Sequence, residues 1–288
     1  MKIAMLTKSR PLSFWLHIFA NFGFFNMILF LIVALISKLS KFSSFLNQLS
    51  LNRRLLRTIK IRSRSVNVSN LRVHDFTALY VLSEYHEPKT TAIVKILSKK
   101  CNLFIDVGAH IGKYTIVFLT TNPHGLAVAV EPMPENILVL IDNIKKLPNV
   151  IRRVKILPLA VTSHEGSVDL YISSDSGGHT VIEERAFSLG SKRAIKVRTT
   201  TIDKILEDLR NFIKFQDSYR KMCVKIDVEG AEYEVLEGAI KTIENLRPYL
   251  IMETFPHNKK QVFKFLRRYK YKIMHIEHNN YLFIPLCN

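Results

Sequence analysis

Five short apolar runs rich in β-branched residues recur along the chain: 103–107 (LFIDV), 126–131 (LAVAVE), 154–161 (VKILPLAV), 222–228 (MCVKIDV) and 249–253 (YLIME). Between them, apolar positions repeat with the helical period over 112–121, 134–146, 201–213, 232–245 and 258–269. The runs are continuous rather than alternating, as in strands buried on both faces. The pattern predicts an α/β fold, a doubly wound and mainly parallel sheet covered by helices on both sides. Residues 166–200 break the alternation. There "GSVDLYIS" and "AIKVRTTT" read as two strands around the Gly/Ser-rich "SSDSGGHT", an inserted hairpin near the sheet's rim. The tail "YKIMHIEHNNYLFIPL" reads as a closing antiparallel hairpin with "HNN" as its turn.

The first part of the chain has a different character. Pro11 to Ser37 carries no charge, and 20 of the 25 residues from Leu12 to Ile36 are apolar. As a helix those residues span about 37 Å, enough to cross a hydrocarbon core of about 30 Å. The run is too long for a signal peptide and lacks a small-x-small cleavage site. Ser13, His17 and Asn21 form a weak polar stripe that leaves an interfacial helix open. Three domains are expected: a hydrophobic membrane anchor over 1–37, a basic juxtamembrane linker over 38–74 and a catalytic domain over 75–288.

Charge supports that division. The net formal charge is +18, yet residues 1–74 hold twelve Lys/Arg and no acid, while the remainder mixes thirty basic residues with all twenty-four acids. A basic segment beside an apolar helix is attracted to anionic headgroups and places the following domain in the cytoplasm. No aromatic interleaving accompanies the basic residues, so nucleic acid is not an expected partner. Cys101, Cys223 and Cys287 lie far apart without C-x-x-C spacing, and they read as thiols in a reducing compartment.

Ligands of such sheets bind outside the carboxyl ends of the strands. At the first such end stands "FIDVGAHIGKYT", with Gly108 and Gly112 opening a helix. A dinucleotide loop would be G-x-G-x-x-G; here Ala109 and His110 follow Gly108, so the middle glycine is missing. Asp106 also puts a negative charge where two phosphates would approach. A cationic ligand without phosphate suits the loop better, and S-adenosylmethionine is one. Glu131 closes the next strand, where a carboxylate accepts hydrogen bonds from ribose hydroxyls. Nicotinamide cofactors use the same device, and a purely structural strand-end acid is the alternative.

Residues from about 75 to 288 resemble the FkbM family of class I methyltransferases. The resemblance rests on "FIDVGAHIGKYT", "AVEPMPEN", "LAVTSHEGSVDL", "TTTIDKIL", "VKIDVEGAEYEVLEGA" and "LIMETFPHN", in family order, with "KIDVEGAE" the most specific. It implies a seven-stranded Rossmann-like sheet of order 3-2-1-4-5-7-6, S-adenosylmethionine as cofactor and, typically, transfer to oxygen. His110 departs from the Asn common in the family's loop. The N-terminal apolar run lies outside the shared domain. Cofactor-binding residues are then expected at Asp106, Gly108, Ala109, His110, Gly112, Thr115 and Glu131.

Catalysis is expected at Asp227 and Glu229, after the fourth buried strand, with Glu253 at the next strand end. Methyl transfer needs the acceptor aligned in line with the methyl carbon, and a hydroxyl acceptor must also lose its proton. By resemblance Asp227 stands near the methionine moiety, and Glu229 is the first choice for binding or deprotonating the acceptor. Both could instead cap the helix starting near Ala231. His179 could close over the acceptor or lie in solvent, and Tyr171, Tyr233 and Phe255 are candidate walls of an acceptor groove. Asp227, Glu229 and Glu253 could jointly hold a divalent cation, but neither His nor Asp-x-Asp accompanies them, and no metal is expected. The expected acceptor is a sugar hydroxyl of a glycan or glycolipid precursor. A lipid headgroup, a secondary metabolite, or a non-catalytic cofactor-binding module are the alternatives.

Overall fold

The computed structural model describes residues 60–63, 68–83, 85–147, 149–173, 176–188, 193–212 and 221–286. The expected membrane helix and most of the basic linker fall outside the described residues, as does Cys287. Among the described residues no helix is long and apolar enough to cross a membrane. Two compact units divide the chain, one up to Glu84 and one from Tyr85 onward. In the first, β1 (Lys60–Ser63) and β2 (Val68–Arg72) pair antiparallel, and α1 (Phe76–Val81) follows. Asp75 caps α1 by accepting from the Ala78 amide at 2.7 Å.

The second unit begins with α2 (Pro88–Ser98) and continues through β3 (Leu103–Val107), α3 (Lys113–Thr121), β4 (Leu126–Val130), α4 (Pro134–Lys145) and β5 (Val154–Leu157). After an inserted region come β9 (Met222–Ile226), α7 (Glu232–Glu237), α8 (Ile240–Asn245), β10 (Tyr249–Glu253), α9 (Lys259–Arg268), β11 (Tyr271–Glu277) and β12 (Asn280–Pro285). They build a seven-stranded sheet of order β11-β12-β10-β9-β3-β4-β5. Numbered within the sheet, this is the 3-2-1-4-5-7-6 order the resemblance implied. Only β12 runs antiparallel to its neighbours. Strand order reverses between β3 and β9, which sets the ligand crevice at their carboxyl ends.

Alternation along each buried strand feeds two cores. Leu103, Ile105 and Val107 of β3, Val224 and Ile226 of β9, and Leu250 and Met252 of β10 pack with residues of α6 to α9, including Ile205, Leu209, Leu236 and Val262. The other face carries Phe104, which stacks on Phe118 of α3 at 5.0 Å, and Ala129, which packs with Leu140 of α4. Helices therefore cover both faces, as the continuous apolar runs require. Cys101 and Cys223 are buried free thiols.

Four features differ from the sequence reading. The run 154–161 is two strands, because Pro158 interrupts it and β6 (Ala160–Val161) leaves for another sheet. The inserted hairpin does not extend the main sheet: β7 (Gly166–Tyr171) and β8 (Ala194–Thr200) pair antiparallel as expected, but β6 joins them in a three-stranded sheet. Between β7 and β8 lies a helix not foreseen in the sequence, α5 (Glu183–Ser188), and α6 (Ile202–Phe212) follows β8. The helical segment 232–245 breaks into α7 and α8 at Gly238, where a β-carbon would meet the Thr162 carbonyl oxygen at 2.2 Å.

Asp203 of α6, from the "TTTIDKIL" motif, restarts the chain after that break. Its carboxylate accepts from the Lys241 and Thr242 amides at 3.0 and 2.8 Å and from the Thr242 hydroxyl at 2.6 Å, closing the open end of α8. Asp203→Ala is expected to cost about 1–2 kcal/mol in urea unfolding; Asp203→Asn, which keeps one acceptor, should cost less than half of that.

Candidate active site

Four acids stand at the carboxyl ends of four adjacent parallel strands: Glu131 after β4, Asp106 in β3, Asp227 after β9 and Glu253 ending β10. Neighbouring strands lie about 4.8 Å apart, so the fold alone brings these carboxylates into one row. The loop after β3 has to pass directly over the end of β9. Gly108 (φ 78°) allows this, since a β-carbon there would lie 1.9 Å from the Asp227 carbonyl oxygen. Gly112 (φ 91°) then starts α3.

Glu131 organises the loop after Gly108. Its carboxylate accepts from the His110 amide (2.9 Å), the Met133 amide (3.0 Å) and Asn136 Nδ2 (3.1 Å). Burial pushes its pKa up to about 7 despite these donors. Asn136 Oδ1 is buried beside it without a hydrogen-bond partner. Asp106 turns the other way, taking the Thr115 amide (2.9 Å) and hydroxyl (2.6 Å), and burial raises it to about 6. Thr115 is fully buried and gives both its donors to Asp106, so its part is to fix the first turn of α3. His110 adopts φ 50°, and its ring Nε2 meets Ser176 Oγ at 2.7 Å. Ala109 is buried against α4.

Asp227 and Glu229 are not the cap of α7, whose N-cap position is Ala231, with no side-chain cap bond. Glu229 (φ 55°) pairs instead with Arg185, brought across by α5, and its carbonyl accepts from the Thr180 hydroxyl at 2.8 Å. The Arg185 guanidinium also lies 3.7 Å from the Phe255 ring centroid, and His257 stacks on that residue with ring centroids 6.2 Å apart. Phe255, half-buried, therefore adjoins the Glu229–Arg185 pair. Tyr233 does not: it packs edge-on against Phe265 beside the core. Tyr171 bridges to Thr180 within the insert, and the His179 ring accepts from the Ser173 amide at 3.1 Å, tying that loop together.

Several residues of the site were not singled out from the sequence. Lys225, in the middle of β9, is 1% exposed and donates to Asp227 Oδ2 at 2.8 Å. Burial opposes its charge, yet Asp227 and Glu87 hold its pKa above the ordinary lysine value. Its ammonium also lies 4.8 Å from the Tyr114 ring centroid. Glu87 accepts from the Tyr114 hydroxyl and, at 2.8 Å, from Asn280 Nδ2. Burial works against its charge too, but Lys225 and these donors keep it below the usual range. Burial, Asp227 and Glu229 drive Glu253 well above the usual carboxylate range, which favours its neutral form. Lys113 is buried against His86, and burial lowers it to about 7. Lys225 was detectable in principle: a lysine two residues before an acid within a buried run shares a face with that acid.

A profile of the Methyltransferase FkbM domain matches residues 106–273, more than half of the chain, from the end of β3 to the start of β11. The chain belongs to the FkbM methyltransferase family. Its cofactor is accordingly S-adenosylmethionine. The methyltransferase sdnD of Sordaria araneosa is 28% identical over 191 residues, covering 59% of this chain and 73% of that protein. The crystal structure of an FkbM methyltransferase from Methylobacillus flagellatus KT is similar over 64% of this chain at 17% identity and a TM-score of 0.45. This chain spans 43% of that bacterial protein. An O-methyltransferase from Bacillus cereus in complex with S-adenosylhomocysteine is 13% identical over 67% of this chain and 76% of its own, with a TM-score of 0.40.

Removing Lys225 from this FkbM site leaves Asp227 and Glu87 without their shared cation. Lys225→Met is expected to lower stability by about 3 kcal/mol, the low end for a broken buried pair because a quarter of the Asp227 side chain stays exposed. Lys204→Met, which breaks half-exposed pairs with Glu207 and Asp208, should stay within about 0.5 kcal/mol of wild type in the same urea titrations.

Proposed function

We propose that this FkbM methyltransferase transfers the methyl group of S-adenosylmethionine to a sugar hydroxyl of a glycan or glycolipid precursor. In this reading the apolar run 11–37 holds the enzyme at a membrane, as a single N-terminal pass or as an interfacial helix, with its catalytic domain on the cytoplasmic side. The observation that carries the acceptor class is the mouth of the site, where the Glu229–Arg185 pair and the Phe255 ring stand together. Carboxylate and guanidinium groups hydrogen-bond hydroxyls, and the edge of the Phe255 ring adds apolar surface beside them.

The cofactor reading assigns the β3–β4 side to the methyl donor. Glu131 and the unpartnered Asn136 Oδ1 offer two neighbouring acceptors for the two ribose hydroxyls. Gly108, Ala109 and His110 present backbone to the ligand, and Gly112 lets α3 start beside it. Asp106 and Thr115 act as positioning residues for that loop. Asp227, at the switch between β3 and β9, adjoins both ligands. Bound there, S-adenosylmethionine supplies an electrophilic methyl on a sulfonium. The protein's own work is alignment and exclusion of water.

Glu229 binds the acceptor in this reading rather than deprotonating it, because its carboxylate is already engaged by Arg185. Incubation with S-adenosylmethionine and candidate acceptors, nucleotide-activated sugars against lipid-linked oligosaccharides, followed by mass spectrometry, tests the acceptor class. Methylation confined to non-sugar lipids or aglycones would overturn it.

Cofactor binding has its own pH signature. Glu131, raised to about 7 by burial with Asp106 as its charged neighbour, is largely protonated at pH 6 and ionised at pH 8. Hydrogen bonds to a carboxylate are stronger than those to a neutral acid, so S-adenosylhomocysteine should bind about fivefold tighter at pH 8 than at pH 6 by calorimetry. Glu131→Ala should weaken binding at both values and flatten the difference. The same ionisation acts on stability in the opposite direction. A raised carboxyl pKa stabilises the fold below the unfolded value, and that contribution is lost as the pH rises towards about 7.

A further inference from the structure

Three acids offered as carriers of the reaction are each engaged: Glu229 by Arg185, Asp227 by Lys225, and Glu253 by the crowd of acids around it. The crowd is more specific than a row of strand-end carboxylates. Glu87, Asp227 and Glu253 each place one oxygen within 4.8 Å of the others. Cations with oxygen ligands at about 2.1–2.5 Å hold those oxygens about 3–5 Å apart, so the spacing already suits one ion.

The sheet register explains how the cluster arises. Ile251 of β10 lies beside Lys225 of β9, and their side chains share the face opposite the α6–α9 core, as do Asp227 and Glu253 two residues further along. α2 and α3 cover this face and deliver Glu87 and Tyr114. Glu87 stands at the N-terminal boundary of α2 but makes no capping bond; its carboxylate turns into the cluster instead, with Tyr114 and Asn280 donating to its two oxygens.

A second observation points to a ligand. Asn280 is directly opposite Glu253 in the antiparallel β10–β12 pair, and opposed residues project to the same face. It is fully buried, its Nδ2 lies 2.8 Å from Glu87, and its Oδ1 has no hydrogen-bond partner. A buried carbonyl oxygen left unpaired costs about 1–3 kcal/mol. Beside three carboxylates it cannot find relief from another acceptor. It can from a cation.

We propose that Glu87, Asp227 and Glu253, with the Asn280 side-chain oxygen, form a site for one Mg²⁺ or Mn²⁺ ion. All four donors are hard oxygens, which select these ions over zinc or copper. Lys225 holds Asp227 Oδ2, and the hydrogen bond that Asp227 shares with Glu253 is the contact an ion would replace. The expectation of no metal rested on the lack of a local ligand motif, and no local motif could show this one, since its residues come from four separate segments. Glu87 and Asn280 also lie outside residues 106–273, the stretch matched by the family profile. If the acceptor reading above holds, on which this last step rests, a hydroxyl bound to the ion would be more acidic and would pass its proton to water as its oxygen takes the methyl group and S-adenosylhomocysteine leaves.

The test is titration of the full chain, purified in chelator, with Mn²⁺ followed by electron paramagnetic resonance, with Mg²⁺ as competitor and circular dichroism as the check of folding. One Mn²⁺ per chain should bind with a Kd below about 1 mM, and Mg²⁺ should displace it. Glu253→Gln and Glu87→Gln should each weaken binding about tenfold or more. Absence of saturable binding to the folded wild-type chain, or binding undiminished in either folded variant, would overturn the site. Calorimetry with S-adenosylhomocysteine on the same samples separates the two readings: cofactor binding without Mn²⁺ binding removes the ion and leaves the methyltransferase, and the reverse result does the opposite.

Discussion

The site depends on how closely the chain leaving β3 can pass the chain leaving β9. Their contact is backbone on backbone, with the Asp227 carbonyl in the space that any side chain at position 108 would need. That passage puts the glycine loop and the Asp227–Glu229 loop side by side at the strand-order reversal. It also commits β3 and β9 to register, Asp106 beside Lys225, and so decides which side chains are sealed under α2 and α3. The cofactor loop and the charged cluster are thus two results of one steric fact.

Burial then sets the chemistry on either side of that contact. On the β4 side, donors outnumber acceptors around Glu131, and its buried carboxylate holds a loop in shape. On the β10 side the balance is reversed, with acids and an amide oxygen gathered around a single sealed lysine. An interior of low dielectric makes both arrangements costly unless each charge has a partner. Each leaves one amide oxygen unpaired, Asn136 Oδ1 on the first side and Asn280 Oδ1 on the second.

Much of this was readable from the chain. Parallel strands buried on both faces appear as unbroken apolar runs, so β3, β4, β9 and β10 and the helices between them were evident, and Gly108, Glu131 and Asp227 stood out at their ends. Pro158 was a local warning that the third run would split, and it was passed over. Glu87 and Asn280 were out of reach for a different reason. They are 193 residues apart and meet only because β12 lies beside β10 and α2 lies across the sheet. Arg185 was hidden likewise on a short helix whose sequence, "EERAFS", has no apolar stripe long enough to announce it.

The inserted sheet has a further consequence. Its chain passes the His110 ring and the Asn136 amide at Ser176, and within a few residues reaches Glu229 through Thr180 and Arg185. One segment is therefore fastened to both halves of the crevice. Lifting it from either half strains its hold on the other, so a change on the His110–Asn136 side is felt at Glu229.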